Sequence, residues 1–205
     1  LIQPGTLALN IYQREVRPIP VTLGEDALST SMTAAIIGVL LVILFMIIMY
    51  RLPGAVASLA LLIYILIDLF LLAVIPGVQL TLPGIAGIVL SIGKAVDANV
   101  IIFERVKEEL KAGKTVRASV ESGFKRAFTA ILDSNITTII AGVVLMIFGA
   151  GSIKGFAITL TIGVVASMFT AVVVTRFLLH QMVGLNLTNH GLYGVKEVKA
   201  KEGNA

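Results

Sequence analysis

Asp97 carries the chemistry that this chain has to explain. It stands in Leu82 to Phe103, LPGIAGIVLSIGKAVDANVIIF, a stretch that is otherwise almost wholly apolar and long enough to cross a bilayer as a helix. A carboxylate at that depth costs roughly 2.5–3.5 kcal/mol on insertion scales. A membrane helix that carries such a cost has a use for it, as a proton relay, an ion site or a buried charge partner. Lys94 lies three residues earlier, so both side chains fall on one side of a helix. Two readings follow. In one, Lys94 and Asp97 form an intrahelical pair that neutralises both charges. In the other, Asp97 exchanges protons with a water-filled path.

A second polar cluster opens the next apolar stretch: Asp133, Ser134, Asn135, Thr137 and Thr138. Asp97 is seven residues from Glu104, and Asp133 is seven residues from Arg126. Seven residues rise ~10 Å in a helix. A hairpin would therefore bring Asp97, Asn99, Asp133, Asn135 and Thr138 to similar depth, and polar side chains there face protein or water. For Ser134, Thr137 and Thr138 the simpler role is a hydrogen-bonded clamp between helices. Asp68 is a second membrane carboxylate with no partner evident in the sequence, open to helix pairing or proton transfer. Gly87, Ser91, Ala95 and Asn99 recur every four residues and give one helical face on which another backbone can approach closely. Gly142 and Gly163 fit the same role. No nucleophile–base arrangement, phosphate loop or metal spacing is present.

The elements that must position these residues are membrane helices. Of the 205 residues, 57% are hydrophobic and 14% charged, and the mean hydropathy is +0.99. Soluble domains carry about 25% charged residues, so lipid must solvate part of this chain. Five spans of near ~20 residues are expected, at about 29–50, 54–75, 82–103, 127–148 and 155–179. Pro53, Pro76, Pro83, Gly77, Gly84, Gly149 and Gly151 break the short links and make neighbouring spans antiparallel. The long link, 104–126, holds Arg105, Lys107, Lys111, Lys114, Arg117, Lys125 and Arg126, whereas the links on the other side hold Lys154. The positive-inside rule puts the long link, Arg51, Arg176 and the tail 181–205 in the cytoplasm. It also accounts for the net charge of +4 without nucleic acid.

Residues 1–28 are not membrane-like. Leu7 to Val16 alternates as a strand does, and a lone strand is unstable, so it reads as the end of an extracytoplasmic domain. Ser29 or Thr30, after Glu25 and Asp26, is a candidate start for the first helix. The chain opens on leucine with no signal segment, as a piece of a longer protein would. There is no cysteine to build disulfides or thiolate sites. His180 and His190 are too isolated for a metal cluster.

Ala95 to Arg105, AVDANVIIFER, closely resembles the fourth transmembrane helix of the SecD family of protein-export proteins, within the resistance-nodulation-division superfamily. Gly123 to Phe128 with Asp133 to Thr138, and Gly155 to Ala157 with Ala166 to Ala171 and Val174 to Arg176, agree in the same order. Residues 1–28 are more weakly similar: the family usually has Gly-Pro where Val21-Thr22 stands before Leu23-Gly24. It also generally has a small or apolar residue in place of Lys94, which makes Lys94 a local modulator or a clamp for Asp97.

The resemblance implies an all-α integral membrane protein in which this piece holds helices two to six. SecF supplies a pseudo-symmetric second half. It further implies a multi-pass protein of the bacterial or archaeal cytoplasmic membrane that uses the proton-motive force late in export. Preproteins would pass through the SecYEG translocon, with accessory subunits such as YajC. Asp97 takes the family's proton position, with Lys94, Asn99, Asp133, Asn135 and Thr138 around it, protons as coupling ion and no other cofactor. The alternatives are a proton-coupled small-molecule or lipid exporter of the same superfamily, and a structural membrane scaffold with no proton role.

Overall fold

The computed structural model describes residues 21–76, 78, 81–184 and 193, with side chains from residue 26 onward. The strand expected at Leu7 to Val16, His190 and most of the tail lie outside the described residues. The chain forms helices α1 (Val21–Tyr50), α2 (Leu52–Val74), α3 (Leu82–Lys111), α4 (Val116–Phe148) and α5 (Ser152–Phe169). α5 passes through a π turn (Thr170–Thr175) directly into α6 (Arg176–Gly184). Among the described residues five stretches are long and apolar enough to cross a membrane, α5 to α6 counting as one.

Local chemistry sets the boundaries. Thr81 caps α3 by accepting from the Gly84 N–H at 3.1 Å, with Pro83 in the first turn, where its missing N–H has no partner to lose. Thr115 caps α4 in the same way through the Ala118 N–H. Between α1 and α2 only Arg51 intervenes, at φ 52°. Gly54 packs there against the Met46 carbonyl, where a Cβ would not fit.

Two boundaries differ from expectation. α1 begins at Val21, so Ser29 sits inside it, its hydroxyl donating back to the Asp26 carbonyl at 3.0 Å. The link 104–126 is mostly helix: α3 runs on to Lys111 and α4 starts at Val116, leaving a four-residue turn closed by Gly113 at φ 86°. The extensions are themselves amphipathic. Val106 and Leu110 meet Val116, Val120 and Phe124 in a buried cluster, and at Gly123 a Cβ would lie 2.9 Å from the Val106 nitrogen. A 30-residue α3 rises ~45 Å, which exceeds the ~30 Å hydrocarbon layer, so the hairpin projects beyond it.

Glu109, only 3% exposed, ties the projection together. Its carboxylate pairs with Lys114 across the turn and with Arg126 on α4, the latter at 2.8 Å. Glu109→Gln is expected to lower the thermal stability of the hairpin and to raise its protease sensitivity near Gly113. An unchanged cleavage pattern and melting temperature would remove Glu109 as the clasp.

α3 is the central element, packed most extensively against α5 and α4. α1 lies at the periphery. It buries Met46 and Tyr50 in its last turns, where the Tyr50 ring packs 5.6 Å from that of Phe103 under the Lys107 ammonium. Elsewhere α1 is exposed or half-buried, as a lipid-facing helix is.

Candidate functional site

The row Gly87, Ser91, Ala95 and Asn99 is the buried face of α3. It receives α5: a Cβ at Gly87 would lie 2.9 Å from the Phe156 carbonyl, and a Cβ at Gly163 would strike Ser91. Thr159, fully buried, donates to the Gly84 carbonyl at 2.9 Å. Farther along, the Thr175 hydroxyl donates to Asn99 Oδ1 at 2.9 Å, joining the π turn to α3. Thr159, Thr175 and the π turn were not singled out in the sequence. A hydroxyl in an apolar helix was the signal available, but its partner is not visible without the fold. The widened π turn is where α5 bends its register into α6, a feature frequent at functional sites.

With that face turned inward, Asp97 is left on the opposite flank of α3, exposed. Lys94, half-buried, does not close onto it. Its Nζ reaches across to α4 and donates to Ser134 Oγ at 3.4 Å. Among the described residues Asp97 has no ion pair. Asp133 is exposed beside Ser134. Lys94 and Ser134 therefore join α3 to α4, the two helices that carry the exposed Asp97 and Asp133.

The rest of the expected cluster turns elsewhere. Asn99 is committed to Thr175. Asn135 is buried and donates to the Ile131 carbonyl of its own helix at 2.9 Å, while its Oδ1 has no partner. Thr137 and Thr138 donate to the carbonyls of Asp133 and Ser134, also within α4. A groove of about 570 Å³ runs between α1 and α3, from Ser31 and Ala35 past Ala86 to Gly93, one helical turn short of Asp97.

Asp68 occupies a separate position inside the bundle. It is 1% exposed, and its Oδ1 has no hydrogen-bond partner. One turn away, Tyr64 donates to Ser91 Oγ at 2.7 Å, and Ser91 donates to the Ile88 carbonyl. A buried acceptor without a partner costs about 1–3 kcal/mol. Asp68→Val, close in size and free of that cost, is expected to raise stability by a comparable amount. A fall in melting temperature would show that the carboxyl is held by interactions beyond these. Among the described residues no three His, Asp or Glu side chains converge on a metal-sized site.

The family described as protein export membrane protein SecD/SecF, C-terminal, matches residues 5–184. The chain belongs to the SecD/SecF C-terminal family. It is 54% identical, over 99% of its length, to protein translocase subunit SecD of Acidaminococcus fermentans, and 52% identical, over 87%, to that of Synechocystis. It spans 49% and 38% of those two proteins, half or less of their length. The crystal structure of SecDF, a translocon-associated membrane protein from Thermus thermophilus, matches 80% of the chain and 23% of that protein at 44% identity, with a TM-score of 0.77.

The three blocks that resemble SecD thus fall on α3, α4 and α5 to α6, the elements that bury the small-residue row and turn Asp97 outward. Over the described residues the fold is the all-α membrane fold that the resemblance implied.

Proposed function

We propose that the full-length protein is a SecD subunit that works with SecF to draw preproteins through the SecYEG translocon, driven by the proton gradient, with Asp97 as the residue that takes up and releases the proton. The observation that supports this most is the free flank of α3. An ionisable side chain at membrane depth faces protein or water and not lipid, and among the described residues no partner satisfies Asp97. A second membrane half, such as SecF, would cover that flank and enclose a path for water to reach it.

The basic hairpin end would be cytoplasmic, and α1 would connect upward to an extracytoplasmic domain. Protonation of Asp97 removes a charge from the seam between the halves. Moving one charge across 100 mV is worth ~2.3 kcal/mol, a bias of about fiftyfold on a two-state element. Repeated cycles are needed to draw in a long polypeptide. Lys94, tethered to Ser134 one turn from Asp97, is positioned to answer changes in that charge.

The test uses membrane vesicles depleted of the protein and resupplied with full-length protein and SecF. Late preprotein movement is expected to recover on resupply and to be lost when the gradient is collapsed. Recovery that is indifferent to the gradient would leave a scaffold role in place of proton coupling.

A further inference from the structure

At the hairpin end of the bundle, α3, α4 and the π turn leave a second groove of about 410 Å³. Its floor is apolar, with Ile102 and Ile131 fully buried and Val172 beside them. Phe128, 43% exposed, forms one wall. Three charged residues line it as well: Glu121 and Lys125 from α4, and Arg176 from the start of α6.

The groove is polar at one end only. α4 runs away from the hairpin turn, so Glu121 and Lys125 lie nearer that turn than Ile131 does. The π turn and α6 run the other way, and Arg176 follows Val172. Charges from two antiparallel elements therefore gather at the end where the hairpin leaves the hydrocarbon. Lys125 and Arg176 are both exposed, and neither has an ion-pair or hydrogen-bond partner among the described residues. Arg126, the next residue on α4, is by contrast committed to Glu109.

We infer that this groove holds an anionic phospholipid, its phosphate between Lys125 and Arg176 and an acyl chain along Phe128, Ile131 and Val172. Two cations against the single carboxylate of Glu121 leave the rim positive, and basic pockets between membrane helices suit acidic headgroups. The arrangement favours a lipid over an apolar helix face: two cations without partners among the described residues stand at one end of an apolar floor, matching one acidic headgroup and one acyl chain. The site lies apart from Asp97 and does not depend on the export reading.

The chain contains no tryptophan, so Phe128→Trp introduces a reporter on the groove wall, read as the difference from the parent protein. Full-length protein is reconstituted in phosphatidylcholine vesicles, with increasing amounts of phosphatidylglycerol or phosphatidylcholine brominated on the acyl chain. Phosphatidylglycerol is expected to quench Trp fluorescence with an association constant on the order of tenfold higher. That preference should vanish in Lys125→Gln/Arg176→Gln. Equal quenching by both lipids, or a preference that survives the double substitution, would overturn the proposal. Absence of quenching by either lipid would mean that a protein segment fills the groove, and would overturn it as well.

Discussion

Asp97→Asn is expected to abolish the gradient-driven part of preprotein movement while leaving the protein folded. Asparagine keeps the shape of the side chain and matches the neutral state of the acid, but it cannot give up a proton. The fold should tolerate it because Asp97 is exposed on α3 and makes no ion pair among the described residues. The loss should be large, because the ~2.3 kcal/mol that one charge draws from 100 mV is then no longer coupled to motion. Late movement in resupplied vesicles should fall to the rate seen with the gradient collapsed, a drop of up to about fiftyfold. Asp97→Glu, which retains the carboxyl, should recover part of the rate. Unimpaired gradient dependence in Asp97→Asn would place proton transfer elsewhere in the assembly.

The largest structural effect is expected from Gly87→Val. A Cβ there meets Thr159 Oγ1, the Phe156 carbonyl at 2.9 Å and the Leu160 nitrogen at 3.2 Å. Two of these three are backbone atoms of α5 and cannot move aside without moving the helix. Overpacking of this kind costs about 1–3 kcal/mol and occasionally more, here at the most extensive helix contact of the bundle. The variant should melt at lower temperature in detergent. Adding Thr159→Ala should restore only part of the loss, since it removes the hydroxyl but leaves the Phe156 carbonyl in place. Full restoration would mean that the side chain alone sets the spacing of α3 and α5.

The same row of small residues marks how far the sequence could be read. Gly87, Ser91, Ala95 and Asn99 declared a packing face through their spacing alone, because four residues is close to one helical turn. That face then decides the facing of Asp97, which periodicity could not assign while the identity of the packing helix was unknown. Lys94 shows the opposite case. Sequence proximity suggested Asp97 as its partner, but a long flexible side chain can reach the neighbouring helix as easily, and Ser134 is what it meets.

Asn99 and Asn135 were grouped by depth. Depth says nothing about azimuth, and both turn into the bundle to different acceptors and donors. Membrane thickness set the expected helix ends, and so hid the amphipathic hairpin beyond Phe103, whose Val106, Leu110, Val116 and Val120 pack outside the apolar spans. The π turn had no signal of its own, since Thr170 to Thr175 reads as ordinary apolar helix.

The central claim is that Asp97 gains and loses a proton in the working assembly. Infrared difference spectroscopy of the full-length protein with its SecF partner, recorded as pH is stepped from acid to alkaline, tests it most directly. A carbonyl band of a protonated carboxylic acid should grow and vanish with pH, and should be missing in Asp97→Asn. A spectrum in which no carboxyl band changes with pH, or in which the same band persists in that variant, would contradict the account.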